Sequence, residues 1–92
     1  MKMQAYNDVW DALSDTPEEA ENMKIRSNLM MTIGDHLEKF DGTQVAKAKK
    51  LGITQPRLND LLKGRISKFS LDALVTIAVN TGLEISVHAK AA

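Results

Sequence analysis

The sequence lacks cysteine and is poor in aromatic residues, and both shortages limit what the protein can be. Without cysteine, the 92-residue chain can form neither a disulfide framework nor a thiolate metal site. Aromatic residues make up 4% of the chain and hydrophobic residues 43%, which is enough for one globular domain with a modest core. No apolar run reaches membrane-spanning length, and the first residues lack a signal-peptide pattern. We therefore expect a soluble, cytoplasmic domain without a membrane partner.

Groups that carry enzyme chemistry are also scarce. The two histidines, His36 and His88, are far apart in sequence and stand in unlike predicted elements. The chain has no phosphate-cradling glycine loop, and no nucleophile is patterned with a base. His36, with Asp35 and Glu38 beside it, could join a metal site, but this is the weaker interpretation. The sequence therefore predicts that the protein is not an enzyme and has no catalytic residue, metal or cofactor.

Charge is balanced over the whole chain but is unevenly distributed. The 12 basic and 12 acidic side chains give a formal net charge of zero. Residues 1–46 carry four Lys or Arg against nine Asp or Glu, whereas residues 47–68 carry seven against one. A clustered basic patch is what counts for phosphate binding, so the middle block is typical of a nucleic-acid interface.

Two short helices joined by a tight turn are predicted over residues 43–64, which overlap this basic block. Thr43 is placed to cap a first helix over Gln44–Leu51. Gly52 follows the last apolar residue, where a left-handed stop is easiest without a Cβ atom. Thr54 then caps the second helix. The segment therefore has the layout of a helix-turn-helix.

The second helix of this unit is predicted to be amphipathic. Leu58, Leu61 and Leu62 lie three and four residues apart, so we expect them to share one buried face. A short helix with an apolar back and a polar front fits the major groove of DNA. The front carries Pro56, Arg57, Asn59, Asp60 and Lys63, with Gln55 at its edge.

A longer helix is predicted before this unit. Thr16 and Pro17 begin it, followed by acids that face the positive end of the helix dipole, and it can run to Phe40. Lys24 and Arg26 could reach phosphates or pair with neighbours such as Glu21, but we expect them to be solvated. The predicted core stripe repeats every four residues and consists of Ile25, Leu29, Ile33 and Leu37.

The C-terminal part combines a last helix with a stretch of strand-like alternation. Ser70 caps a helix over residues 71–81, and Phe69 before it can staple the helix start to the core. Residues 83–89 alternate apolar and polar side chains, which predicts a strand. A lone strand leaves backbone hydrogen bonds unmade, so it must pair with the N-terminal arm or with its own copy. We favour the copy, because the arm lacks a matching alternation. The predicted homodimer interface then contains Leu83, Ile85 and Val87.

The predicted fold class is mainly α, a compact bundle of four or five helices containing the helix-turn-helix, with a C-terminal β-strand used for dimerisation. Residues 1–15 form an N-terminal arm, residues 16–82 the helical domain, and residues 83–92 the strand and tail. Trp10 in the arm either closes one end of the core or packs on a partner.

The pattern TQ-x3-A-x2-LGITQP-x-L-x2-LLKG over residues 43–64 resembles the XRE-type (phage-repressor-like) helix-turn-helix proteins. Over residues 8–88, the layout VWDAL, EEAENMKIRSNLM, motif and FSLDAL is similar to a branch of small HigA-like antitoxins and stand-alone regulators. This resemblance implies a transcriptional regulator, a repressor that binds a palindromic double-stranded DNA operator as a homodimer. The alternative that it implies is an antitoxin that neutralises a RelE/HigB-like mRNA-cleaving toxin, with acidic residues 8–21 facing this partner.

The resemblance also implies roles by position. Gln44 holds a phosphate and braces the second helix, the Gln55 amide reads adenine, and the Arg57 fork reads guanine. Lys47 stands where an apolar residue is common, so its stem must lie across the core edge. Asp60 either accepts from a cytosine amino group or pairs with Arg57. The predicted DNA-binding residues are Gln44, Thr54, Gln55, Pro56, Arg57, Asn59, Asp60, Lys63, Arg65 and Lys68.

Overall fold

A computed structural model describes residues 16–91 and gives this part of the chain four α-helices and one short 3₁₀ helix. The first helix packs against the fourth and the third, and the second packs against the third and the fourth. The predicted mainly helical fold with a helix-turn-helix is confirmed for these residues. In chain order, the elements are α1 (Pro17–Leu37), α2 (Gln44–Leu51), α3 (Gln55–Leu62), the 3₁₀ helix (Ile66–Lys68) and α4 (Leu71–Asn80).

Side-chain caps fix the start of every α-helix, as predicted. The hydroxyl group of each cap accepts a hydrogen bond from the backbone N–H three residues later, at 3.1–3.2 Å. Such a bond satisfies one of the N–H groups that has no partner inside the helix. Gly52 ends α2 with a φ of 72°, a left-handed conformation that glycine adopts without strain. The four caps are Thr16, Thr43, Thr54 and Ser70.

The hydrophobic core of residues 16–91 draws side chains from all four α-helices. Its largest fully buried side chain is Phe69, which is 1% exposed. Phe69 directly precedes the cap of α4, in the position predicted for a hydrophobic staple. The buried core residues are Met30, Ile33, Leu37, Ala48, Leu51, Leu58, Leu61, Phe69, Leu74, Ile77 and Ala78.

The predicted core stripe of α1 is only partly correct. Leu37 is 2% exposed, but Ile25 is 45% exposed. Each step of four residues turns an α-helix about 40° beyond a full circle, so the stripe drifts by about 120° between these two side chains. Met30, at 3% exposure, lies on the buried face instead. The helix also ends at Leu37, three residues before the predicted Phe40, and α4 ends at Asn80, one residue early.

Arg26 is not solvated, contrary to expectation. Its Nη1 atom donates hydrogen bonds to the carbonyl oxygens of Ile66 and Phe69, at 3.2 and 2.9 Å. Lys24, two residues away on α1, forms an exposed pair with Glu21 at 3.8 Å, which is one of the alternatives that the sequence leaves open. The two neighbouring cations therefore have different roles, because they lie on different sides of the helix.

The C-terminal residues that predicted a strand have no regular structure, and no strand is present in residues 16–91. Leu83 and Ile85 are half-buried against the core of their own chain, whereas Val87 is 84% exposed. No backbone–backbone hydrogen bond joins residues 84–91 to the described part of the chain. The predicted arm over residues 1–15 lies outside the described residues.

No helix within residues 16–91 combines the length and the hydropathy that crossing a membrane requires.

Candidate nucleic-acid interface

The back of α3 is anchored in the core by two leucines rather than three. Leu58 is 0% exposed and Leu61 2% exposed, but Leu62 is 43% exposed. At about 100° per residue, Leu62 lies about 70° from the middle of the face that the other two define. It therefore lies at one edge of the helix, where it lines a groove with Met31 of α1. The prediction that all three leucines share one buried face is wrong for Leu62.

The front of α3 and the start of α2 together form a shallow depression. Its walls are the side chains of Gln44, Gln55, Pro56 and Asn59, all of them exposed. Three of these residues carry amides, which offer paired donors and acceptors, and the fourth carries an apolar ring. Amides match the edge of adenine, and an apolar ring can contact a thymine methyl group. The structure therefore brings together four of the predicted DNA-binding residues in an arrangement that fits base edges.

Thr54 and Lys63 lie at the two ends of α3. The Thr54 hydroxyl accepts the backbone N–H of Arg57 at 3.2 Å, and its own O–H can still donate to a phosphate. Lys63 is the C-terminal cap residue, and its side chain is exposed. Both ends of the helix therefore have groups that can contact a phosphate backbone.

Asp60 forms an ion pair that the sequence did not indicate. Its Oδ1 atom lies 3.0 Å from Nη1 of Arg65, beyond the end of α3. The predicted alternative, a pair with Arg57, is not formed. The side chains of Asp60 and Arg65 are 22% and 51% exposed, so the pair contributes little to stability. It does offset the one acidic side chain within the basic block, residues 47–68.

Arg57 lies on the flank of α3 and does not line the depression. Its Nη1 atom donates to the carbonyl oxygen of Lys68 at 3.0 Å. The central carbon of its guanidinium group lies 4.3 Å from the centre of the Phe69 ring. The sequence placed Arg57 on the front of the helix, whereas the structure turns it toward the segment that follows α3.

The basic block supplies exposed cations at the end of α3 and after it. Lys63, Arg65 and Lys68 have exposed side chains and follow one another closely at the end of α3 and beyond it. Lys47 is half-buried, and it lines the groove beside α1 together with Gln44. Lys50 lies over the ring of Phe40, with Nζ 5.1 Å from the ring centre. Cations placed beside a polar, groove-sized helix front can neutralise phosphates on either side of the bases that it contacts.

Arg26 and Phe69 are contributors that the sequence interpretation missed. Arg26 holds the segment after α3 through two carbonyl groups, and Phe69 supplies the ring under Arg57. A signal for Arg26 was present, because it continues the three-and-four spacing of Met30, Ile33 and Leu37 on the buried side of α1. A cation at such a position requires buried acceptors.

His36 is engaged within the fold. Its Nε2 atom donates to the carbonyl oxygen of Thr81 at 3.0 Å, which ties the end of α1 to the end of α4. Its ring also meets the ring of Phe40 edge-on, at 5.2 Å between centres. In the part of the chain that the structure describes, no group of three or more His, Cys, Asp or Glu side chains is arranged to hold a metal ion.

Comparison with known families agrees with this geometry. A family model described as a helix-turn-helix domain matches residues 12–90, which include all four α-helices and the segment after them. No curated protein matches the chain at a significant level. Since the family match covers nearly the whole chain, and α2 and α3 have the arrangement that the family is named for, the chain belongs to the helix-turn-helix domain family.

Proposed function

We propose that this protein is a sequence-specific DNA-binding transcriptional regulator, a repressor that acts by occupying its operator. The observation that supports this most strongly is the depression lined by Gln44, Gln55, Pro56 and Asn59, at the front of a helix whose back is buried. Membership of the helix-turn-helix family makes double-stranded DNA the partner that fits this surface.

In this proposal α3 enters the major groove and its exposed amides read base edges. A bidentate contact from Gln55 or Asn59 to adenine contributes about 1–3 kcal/mol of discrimination. The exposed cations Lys63, Arg65 and Lys68 neutralise phosphates and release counterions. Affinity should therefore fall steeply as salt concentration rises, with a slope set by the number of phosphates that are neutralised.

The test begins with selection of the preferred duplex from a random library by the purified protein. The double variant Gln55→Ala, Asn59→Ala should bind the selected duplex at least about tenfold more weakly and should discriminate less between it and a scrambled duplex. Asn22→Ala, which removes an exposed amide from α1, is the matched control and should bind as the wild type does. Equal loss in both variants, or none in the double variant, would contradict the proposal.

The protein is further proposed to bind its operator as a homodimer joined through residues 83–89. Leu83 and Ile85 pack on the core of their own chain, while the backbone of residues 84–91 forms no backbone–backbone hydrogen bond within residues 16–91. Antiparallel pairing with a second copy would satisfy those groups, and Val87 would meet the partner. Such a dimer can place two α3 helices about 34 Å apart, one turn of DNA, on a palindromic site.

Sedimentation of the free protein tests this association. Val87→Asp introduces a charge at an 84% exposed valine and should shift the protein toward monomer. Val45→Asp makes the same change at a 59% exposed valine in the first turn of α2 and should leave the assembly unchanged. A wild type that stays monomeric at high concentration, or a Val87→Asp variant that still dimerises, would exclude residues 83–89 as the interface.

A second candidate function, binding of a toxin protein, is favoured by the exposed acids at the start of α1. Glu18, Glu19 and Glu21 are exposed, and they belong to the acidic part of a chain whose basic residues are concentrated elsewhere. Such a surface fits a basic partner, such as a RelE/HigB-like mRNA-cleaving toxin. Changing the three acids to lysine should abolish neutralisation of a co-expressed toxin and preserve operator binding. Retained neutralisation would remove this surface from the proposal.

A further inference from the structure

The segment that follows α3 is held by two arginines from two different helices. Arg26 of α1 donates to the carbonyl oxygens of Ile66 and Phe69, and Arg57 of α3 donates to that of Lys68. Three hydrogen bonds from guanidinium groups therefore reach backbone carbonyls in and directly after the 3₁₀ helix. One of these carbonyls, that of Ile66, also accepts the backbone N–H of Phe69. Guanidinium groups are suited to this task because they donate in several directions at once.

Phe69 adds a second restraint on Arg57. Its ring is 1% exposed and belongs to the core, so it is a fixed platform. With the guanidinium carbon 4.3 Å from the ring centre, the cation is attracted to the face of the ring. The group is thus fixed through its face by Phe69 and through an N–H by the Lys68 carbonyl.

This placement separates Arg57 from the front of α3. At about 100° per residue, Arg57 is turned about 100° from Pro56 and about 120° from Lys63 around the helix axis. It lies on the side of α3 that faces the 3₁₀ helix, and it is half-buried. A guanidinium that reads guanine must instead present its fork to the floor of the major groove.

We propose that Arg57 is a positioning residue, which fixes the segment carrying Arg65 and Lys68 against α3 and does not read a base. The inference rests on the DNA-binding function proposed above. If Arg57 has this positioning role, sequence preference comes from the amides that line the depression. Arg57 then sets the distance between those amides and the cations that contact phosphates. Loss of Arg57 should weaken binding to every duplex by the same factor.

The test compares Arg57→Ala, Arg57→Lys and Gln55→Ala on the selected duplex and on a set in which each base pair is changed in turn. Arg57→Ala should lower affinity about tenfold on all duplexes and leave the ratios among them within about twofold of the wild type. Arg57→Lys should behave similarly, because an ammonium group keeps the charge but cannot stack as a plane. Gln55→Ala should alter the ratios at its own position.

Each other outcome overturns the inference in a distinct way. A changed ratio at one base pair in the Arg57 variants would make Arg57 a base reader, and full affinity in Arg57→Lys would make it a phosphate contact. Full affinity in Arg57→Ala would show that the contacts of Arg57 with Lys68 and Phe69 have no role in binding. If the wild type selects no duplex, the proposed function fails instead, and the two failures are thereby distinguished.

A measurement on the wild type keeps the inference testable if the variants fail to fold. The Arg57 side-chain protons lie over an aromatic ring, so their NMR signals should be shifted upfield. The proposal predicts that this shift persists when the selected duplex is added. Loss of the shift on binding would mean that Arg57 leaves Phe69 to contact DNA, which would overturn it.

Discussion

Residues 43–64 and residues 83–91 differ in whether their backbone hydrogen-bonding groups find backbone partners within residues 16–91. In the first region, α2 and α3 pair these groups within each helix, and caps and the turn at Gly52 complete the ends. In the second, the side chains of Leu83 and Ile85 pack against the core, but no strand within residues 16–91 lies beside their backbone. In both regions the apolar pattern identifies only part of the buried side, because Leu62 and Val87 are exposed. Only a helix can complete its backbone hydrogen bonds alone.

The largest expected effect tests how strongly the first region is anchored. Leu58→Ala should reduce the free energy of unfolding by about 3 kcal/mol, because the side chain is 0% exposed and its loss leaves a cavity. Leu62→Ala, on the same helix but 43% exposed, should cost less than about 1 kcal/mol. Denaturant titration measures both. Equal losses of unfolding free energy in the two variants would mean that Leu62 shares the buried face of Leu58, as the sequence predicts.

The next largest loss of stability is expected from the hydrogen bonds of Arg26, which join residues far apart in the chain. Arg26→Ala should cost about 2 kcal/mol, because it leaves the carbonyls of Ile66 and Phe69 without their charged donor. The value is not larger, because Nε of Arg26 is buried without a hydrogen-bond partner among the described residues. Lys24→Ala is the control, since its pair with Glu21 is exposed, and it should cost less than about 0.5 kcal/mol. Thermal unfolding distinguishes the two variants. An Arg26→Ala variant as stable as the wild type would show that the bonds of Arg26 to Ile66 and Phe69 do not stabilise the fold.

Two glycine variants test the left-handed turn at Gly52, because they are expected to change stability in opposite directions. Gly52→Ala should destabilise the fold by about 1 kcal/mol, because φ is 72° and an added Cβ disfavours that conformation. Steric crowding is not the cause, since the added Cβ would lie 3.7 Å from Nδ2 of Asn80, an ordinary van der Waals distance. Gly34→Ala, within α1, should stabilise by up to about 1 kcal/mol, with its Cβ 3.8 Å from Leu62. If the unfolding midpoint moved in the same direction in both variants, this explanation would be contradicted.

The smallest effect is expected at the end of the second region. In the monomer, Val87→Ser should change the free energy of unfolding by less than about 0.5 kcal/mol, because the side chain is already exposed. Leu83→Ser should cost about 1 kcal/mol, because Leu83 packs against the core. Chemical unfolding at low protein concentration separates this from dimer effects. A large loss in Val87→Ser would mean that the tail is folded more firmly onto the domain than its exposure indicates.

The features that the sequence could predict are those that local chemistry determines. Each helix cap depends on one hydroxyl and on an N–H three residues away, so Thr43 and Thr54 could be assigned without knowledge of the fold. The turn at Gly52 is local in the same way. Gln44 and Gln55 lie together because the turn between α2 and α3 is short, and the sequence motif over residues 43–64 fixes its length.

The features that could not be predicted depend on contacts between distant residues. Arg26 meets carbonyls 40 and 43 positions away in the chain, and only the tertiary packing of α1 shows this. The spacing of three residues allows Arg57 to pair with Asp60, one of the two alternatives for Asp60, but each side chain finds a partner in the segment after α3. Side-chain spacing within one helix gives no information about such competing partners.

The proposal that the amides at the front of α3 contact base edges is tested most directly by observing which side chains contact DNA. NMR spectra of the labelled protein, recorded before and after addition of the selected duplex, resolve the side-chain amide signals of Gln44, Gln55 and Asn59. We expect these signals to shift most, because the three amides line one exposed depression. Shifts confined to α1 or to residues 83–91, with these amides unchanged, would contradict it.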